Sequence, residues 1–362
     1  NYTNNSFSKV PARASVLALL FVLSVPNYSL AQNAKTVTSL TEALKFGLEN
    51  NGNVKAAKTN IELKQAAKKG AWNIGKTKAG VQYGQYNSYQ KDMAFEINQG
   101  IEFPTVYTNK KNMLKAGVAG SKMELDIAKN DLKRYIRRSW FQLSYLLEKE
   151  KILTFQDSIY DRFLHAATIR YEVEASSYLE KATAETRVME IQNSIRLLEA
   201  DIKIEKQELR ILLNDTTQLN FVPTELSERS FSELVDSSKL ENNPMLKLSW
   251  QNIQMAEAKQ SMTKSKMMPD LSLGYFNQSM NGNAFESGAL ATSSDRFSGI
   301  KATVSIPLFY GSYKADIQTA KLDMKIAVTR ASYYGNVLQG QYNQGLQKVL
   351  KFQSSLNYYK EK

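Results

Sequence analysis

One short pattern occurs twice in this chain and limits what it can fold into: a strand of alternating residues, then a proline, then a long helix. Apolar and polar residues alternate in Phe95–Phe103, with Gln99 as the single break, and again in Ile300–Ile306. Such alternation is typical of a strand with one apolar and one polar face. Pro104 and Pro307 follow the two strands. Because proline cannot donate a hydrogen bond to a central ladder, we predict that they mark the junctions between strand and helix.

A helical hairpin is predicted behind the first strand pair, over about 110–213. Lys110–Tyr171 has no proline, and its apolar residues recur every three or four positions. This spacing predicts one amphipathic helix of about 60 residues, or ~90 Å. Glu172–Ser177 interrupts the pattern and is predicted to reverse the chain. In the return helix the mean apolar spacing is about 3.5, which is typical of a coiled coil, here with the preceding helix as antiparallel partner. The two apolar rows are Leu132, Ile136, Trp140, Leu143 and Leu147, and Val188, Ile191, Ile195, Leu198 and Ile202.

The order helix, strand, strand, helix is predicted twice. The tetrapeptide LENN stands at 48–51 and again at 240–243. Pro104 aligns with Pro307 at a larger offset, because the second copy has a longer loop between its strands. We therefore predict a tandem duplication with a long period. The second long helix begins near Ser312 and still runs at the end of the sequence. The second repeat is expected to be incomplete, in a chain truncated at its C-terminus by roughly 50 residues.

The predicted fold class is mainly α with a small β part, in which long antiparallel coiled-coil helices carry two strand pairs. The predicted organisation has four parts: a signal peptide over 1–31, a first repeat over 32–213 with strands at about 79–103, a connector over 214–239 with one short helix near Phe231–Leu234, and an incomplete second repeat over 240–362 with strands at about 271–307.

An export signal is predicted at the N-terminus. Lys9 and Arg13 precede the apolar run Ala14–Val25, and Ser29 and Ala31 are small residues at the spacing that a signal peptidase recognises. The run has 12 residues, whereas a membrane-spanning helix needs about 20. We expect cleavage after Ala31 and an exported protein. An uncleaved anchor is the alternative.

Charge and residue usage argue against several classes of function. Lys and Arg number 47 against 35 Asp and Glu, which gives a net charge of +12. Such an excess is compatible with nucleic-acid binding. The basic residues are interleaved with acidic ones along the helices, so we expect a solvated helix surface and no nucleic-acid partner. The absence of cysteine excludes disulfides and thiolate metal sites.

No catalytic, cofactor or metal site is predicted. His165 is the only histidine, and the sequence has neither a HExxH zinc motif nor a phosphate-binding glycine loop. Met255, Met262, Met267 and Met268 precede the third strand, and thioethers can bind Cu(I). Methionine is more often a flexible packing residue, which is the interpretation that we favour. We expect a protein that is not an enzyme and that has no cofactor.

Four two-faced strands in an exported chain are typical of an outer-membrane barrel. A barrel needs about eight strands, so two or three copies of the chain would have to share one. The polar faces are then predicted to line a water-filled lumen. The residues predicted to face this lumen are Glu96, Asn98, Glu102, Lys301 and Thr303. The alternative is a soluble β-hairpin on an exported coiled-coil scaffold.

Three segments resemble the TolC family of outer-membrane efflux proteins: FEINQGIEFPTVYTNKK at 95–111, RYEVEASSYLEKATAE at 170–185 and KSKMMPDLSLGYFNQSMNG at 264–282. The resemblance extends from about Leu40 to the end of the sequence. It implies a homotrimer whose barrel of about twelve strands crosses the outer membrane of a Gram-negative bacterium and continues as a periplasmic α-barrel. It also implies three kinds of partner: a periplasmic adaptor, an inner-membrane pump of the resistance–nodulation–division class, and outer-membrane lipid.

The resemblance also implies an adaptor-contacting tip at the helical reversal. Six residues match the family segment there: Arg170 and Tyr171 at the end of the first long helix, and Ser176, Ser177, Tyr178 and Leu179 at the start of the return helix. The family usually has glycine after the Arg-Tyr pair, where this chain has Val173-Glu174-Ala175.

The function that the resemblance implies is a passive conduit for substrates handed over by the pump. Within the family, the sequence looks most similar to components paired with heavy-metal pumps, which implies metal cations as cargo. The alternatives are a type I protein-secretion channel, a drug-efflux channel, or an exported coiled-coil scaffold or adaptor without a barrel.

Overall fold

A computed structural model describes residues 36–215, 219–223 and 237–361, which contain six α-helices and six strands. The helices are α1 (Leu40–Asn50), α2 (Gly52–Lys69), α3 (Pro104–Glu172), α4 (Tyr178–Leu213), α5 (Pro244–Ser265) and α6 (Gly311–Lys360). The strands are β1 (Thr36–Val37), β2 (Lys78–Gly84), β3 (Asp92–Ile101), β4 (Asn220–Phe221), β5 (Asp270–Gln278) and β6 (Phe297–Ser305). The chain is mainly α with a small β part, as predicted. The predicted signal peptide and the predicted helix near Phe231–Leu234 lie outside the described residues.

The long helix α3 begins at Pro104 and runs for 69 residues, or about 104 Å. Proline suits the first helical position, because its missing N–H would have no partner there and its φ is already helical. The predicted helix start at Lys110 is therefore wrong. Pro307 has a different place: it lies in the link between β6 and α6, and the helix begins only at Gly311.

The helices α3 and α4 pack as a hairpin, and their predicted apolar rows lie in its interior. Ile136 and Leu143 on α3 are 0% exposed, as is Leu209 farther along α4. The same core includes Val54 of α2. On α1, Gly47 allows a close approach, since a Cβ there would lie 2.5 Å from Cδ1 of Ile136. In the described part of the chain, no helix has an apolar stretch long enough to cross a membrane.

A short parallel pair, β1 with β4, extends this core. Val37 and Phe221 are register partners, and each is only 1% exposed. Neither strand was predicted, because two residues are too few to show an alternating pattern. β4 lies inside the segment that was predicted to be a connector.

The other four strands form one antiparallel sheet in the order β2-β3-β5-β6. The two predicted strand pairs are therefore joined through β3 and β5. β3 begins at Asp92 and ends at Ile101, so Glu102 lies past its end and not within the strand as predicted. Because β3 and β6 run in the same direction, α3 and α6 both begin at the same end of the sheet.

Candidate functional site

The two faces of the four-stranded sheet differ in polarity. One row of register partners crosses all four strands on the apolar face: Ala79, Ile97, Tyr275 and Ile300. The next row crosses them on the opposite, polar face: Lys78, Asn98, Gly274 and Lys301. The alternation predicted from the sequence is confirmed: the register places every Val, Leu and Ile of the four strands on the same side, whereas Phe276 and Phe297 lie on the polar face.

The apolar face is uncovered in the single chain. The exposed fractions of Tyr83 and Ile300 are 73% and 78%, and those of Val81 and Leu273 are 61% and 58%. Proteins in water seldom expose a contiguous apolar patch of this extent. An exposed apolar face of this kind is typical of a surface that contacts another protein or a membrane.

Four of the five residues predicted to face a lumen lie on the polar face. Glu96 and Asn98 point to this side from β3, and Lys301 and Thr303 do so from β6. Glu102 is beyond the end of β3, where its backbone N–H donates to the hydroxyl of Tyr107 at 3.1 Å. The structure therefore brings four residues of the predicted set together along one side of the sheet.

Glycines on the polar face lie beneath larger side chains of neighbouring strands. A Cβ on Gly299 would come within 2.8 Å of the ring of Phe276, its register partner. The same relation holds between Gly274 and Asn98, which are also partners. Both side chains therefore fold over the neighbouring glycine, where a residue with a Cβ would clash.

An open concavity lies on the polar face at the end where α3 begins. Its charged lining residues are Lys76, Lys78, Glu102, Lys110, Asp270 and Lys301. We call it the junction concavity. Four of its lining residues were predicted to face a lumen: Asn98, Glu102, Lys301 and Thr303. Lys78 could have been found from its polar phase in β2, whereas Lys76 and Lys110 come from segments outside the strands.

The sheet has two free edges. Within the described residues, β2 pairs only with β3, and β6 pairs only with β5. Both strands therefore present unpaired backbone groups along seven and nine residues. Natural proteins usually cover or interrupt such edges, because they readily pair with other strands.

At the far end of the sheet, a buried carboxylate joins the two loops. Asp92 is 0% exposed and accepts hydrogen bonds from Ser88 Oγ and from the N–H of Asn281, both at 2.8 Å. The amide of Asn281 in turn donates to the carbonyl of Lys91 at 2.6 Å. The β2–β3 turn and the β5–β6 loop are therefore fixed to each other. This role of Asp92 was not predicted, because it depends on two loops that are distant in sequence.

The helical tip is the reversal between α3 and α4. The N–H of Ala175 donates to the carbonyl of Arg170 at 2.8 Å, and the N–H of Glu174 donates to that of Tyr171 at 3.0 Å. This pair of hydrogen bonds is a Schellman motif. Glu174 has a φ of 59°, the left-handed conformation that normally favours glycine. The chain therefore makes the turn that glycine would make, at a cost of about 1–2 kcal/mol for a residue with a Cβ.

The residues predicted at the tip come together around this turn. Arg170 forms an ion pair with Glu180 at 3.0 Å, and the rings of Tyr171 and Tyr178 meet edge to face at 5.9 Å. Ser177 caps α4, since its Oγ accepts from the N–H of Glu180. The remaining two are Ser176, whose Oγ is buried without a hydrogen-bond partner in the described structure, and Leu179, which is 73% exposed.

The described residues offer no evident metal centre. Among them, no three His, Asp or Glu side chains are close enough to hold an ion together. His165 is exposed on α3. Met255 belongs to the packing between α5 and α3, because its sulfur lies 3.0 Å from where a Cβ of Gly120 would be.

Solved structures of outer-membrane channels share the fold of this chain, whereas no family model and no curated protein matches it. The outer-membrane channel OprN has a TM-score of 0.73 at 15% identity, with 88% of this chain and 76% of that chain covered. CusC, which forms a transmembrane channel, has a TM-score of 0.69 at 15% identity, with 91% and 82% covered. The outer-membrane channel CmeC of Campylobacter jejuni has a TM-score of 0.68 at 16% identity, with 98% and 83% covered. The chain therefore has the fold of outer-membrane channel proteins, in agreement with the resemblance to the TolC family.

Proposed function

We propose that this chain is one subunit of a passive outer-membrane channel in a tripartite efflux system. The observation that carries the proposal is the apolar face of the sheet, which is continuous across four strands and exposed to solvent in the single chain. Lipid is the environment that suits such a face, with the polar face turned to water. The likeness to solved outer-membrane channels supports the same assignment.

A closed barrel requires more than one copy of the chain. The strands β3, β5 and β6 have 10, 9 and 9 residues, close to the 9–11 of a tilted transmembrane strand. In the order β2-β3-β5-β6, the two edge strands run in opposite directions. The β6 edge of one copy can therefore pair antiparallel with the β2 edge of the next. Three copies would give a barrel of about twelve strands, within the range of known barrels.

The helix α4 carries a second apolar row that supports the same assembly. Its exposed members are Met189, Leu197, Ile204 and Ile211, each more than 60% exposed. Their spacings of about seven residues repeat the heptad of a coiled coil. Since the α3 contact already uses the buried row of α4, this exposed row fits a helix of a neighbouring subunit in a trimeric α-barrel.

The helical tip is the proposed contact with a periplasmic adaptor, through which an inner-membrane pump delivers its cargo. Tyr178 and Leu179 are 64% and 73% exposed and could be buried by a partner helix. The assignment of this surface, and of heavy-metal cations as the cargo, rests on the sequence resemblance. A type I secretion or drug-efflux channel would use the same architecture.

Extraction and gel mobility test the proposal directly. We expect the protein to stay in the outer-membrane fraction until detergent is added, and to run as a trimer that heating converts to a monomer. In planar bilayers, we expect stable ion conductance. A protein that is soluble and monomeric without detergent would instead support an exported coiled-coil scaffold.

A further inference from the structure

Four lysines line the junction concavity, and they have no ionic partner among the residues that the structure describes. Lys76, Lys78, Lys110 and Lys301 line it, and in the described structure none of them has a carboxylate oxygen within 4.0 Å of its ammonium group. The carboxylates that line the concavity are Glu102 and Asp270. The lining charge is therefore positive, with four ammonium groups against two carboxylates.

The two helices that begin at this end of the sheet add to the positive potential. Neither α3 nor α6 has a side-chain cap or an acidic residue in its first turn. The other four α-helices described, α1, α2, α4 and α5, all begin with a side-chain cap. At the start of α3, Pro104 has no N–H and the N–H of Val106 donates to the carbonyl of Phe103 at 2.8 Å, so the contribution of this helix is the positive end of its dipole.

Lys110 brings its ammonium group to the concavity from the second turn of α3. The effect of the helix dipole falls off within the first turn, so it neither favours nor disfavours this lysine strongly. The charge of Lys110 adds to the positive charge of the concavity.

We propose that the junction concavity makes the conduit prefer anions, so that the cargo class it favours is anionic, in contrast to the metal cations that the sequence resemblance implies. The inference rests on the proposed function, because it requires the polar face to line a water-filled path. In a trimer, the same lysines would occur three times around one cross-section. At physiological salt, a charge acts over roughly 8 Å, so the preference arises where an ion passes close to this wall.

The reversal potential of the full-length protein in planar bilayers of zwitterionic phosphatidylcholine tests the preference, with a KCl gradient as the probe. We expect a Cl⁻ to K⁺ permeability ratio above one. Lys78→Glu and Lys301→Glu should each lower this permeability ratio about threefold. Each substitution changes the wall by two charge units, and the factor is that for an ion at ~10 Å with one Debye length of screening. Lys78→Gln and Lys301→Gln should lower the ratio by less and keep the preference measurable if the Glu variants fail to assemble.

Lys55→Glu is the matched control, because Lys55 is exposed on α2 and does not line the concavity. We expect it to leave the permeability ratio unchanged. A cation-selective wild-type channel would overturn the inference while leaving the channel function intact. Lys78 and Lys301 variants with the same permeability ratio as Lys55→Glu would also overturn the inference. Complete absence of conductance would overturn the proposed function, and the inference with it.

Discussion

Adjacent residues of β2 allow the lipid-facing assignment to be tested with the same substitution on both faces. Val81 is the central residue of the seven-residue strand and lies on the apolar face, opposite Phe95. Gln82 follows it and lies on the polar face, opposite Ala94. Val81→Lys and Gln82→Lys therefore each introduce one positive charge at nearly the same level along β2. The first lysine lies on the apolar face and the second on the polar face.

The expected cost differs between the two environments. If the apolar face lies in lipid, Val81→Lys near the membrane midplane lowers the free energy of unfolding by about 2–4 kcal/mol. This corresponds to roughly a 30- to 1,000-fold decrease in the ratio of folded to unfolded protein. If the face is in water, the cost is within about 0.5 kcal/mol, because Val81 is 61% exposed and fills no cavity. Gln82→Lys should stay near this lower value in both cases, since its side chain faces water on the polar side.

Denaturant titration of protein folded into phosphatidylcholine vesicles measures this difference, with the heat-modifiable gel band as the readout of folding. We expect the midpoint for Val81→Lys to fall well below that for wild type, and the midpoint for Gln82→Lys to remain close to it. Equal midpoints for the two variants would refute the assignment of the apolar face to lipid.

Three further substitutions test other parts of the structure. Glu174→Gly should stabilise the helical tip by about 0.5–1 kcal/mol, because it removes a Cβ from a left-handed residue at some entropic cost. This gain should appear as slower hydrogen exchange of the tip amides. Asn214→Gly should gain less stability, because asparagine tolerates the φ of 51° at its position. Leu143→Ala should cost about 2–5 kcal/mol of unfolding free energy in denaturant titrations, because Leu143 is 0% exposed; a cost below 1 kcal/mol would contradict its place in the core. Tyr178→Ala should reduce export in cells while leaving the amount of trimer unchanged, and unimpaired export would show that the tip is not the docking surface.

The long, regular elements were predictable because their patterns are periodic. The alternation in β3 and β6 identified the two faces of the sheet before any contact was known, and the structure confirms it through the register. The apolar rows of the helical hairpin likewise identified its interior, since Ile136 and Leu143 are fully buried. In both cases, one repeated spacing fixes which side of the element is buried.

The remaining features depend on contacts between distant segments. Asp92 joins two loops that are almost 190 residues apart, and no local pattern signals such a bond. The start of α3 was predicted at Lys110, past the strand-to-helix junction at Pro104, although proline is suited to the first helical position. At the tip, Val173-Glu174-Ala175 lacks the glycine that the family usually has there. Glu174 itself nevertheless adopts the left-handed conformation.

Cysteine labelling through β3 tests the central claim most directly, because the chain contains no native cysteine. The variants Phe95→Cys, Glu96→Cys, Ile97→Cys and Asn98→Cys alternate between the two faces of one strand. For protein in lipid vesicles, a membrane-impermeant maleimide should label the variants at 96 and 98 and leave those at 95 and 97 unlabelled. Equal labelling of all four would contradict a strand that has lipid on one side and a water-filled channel on the other.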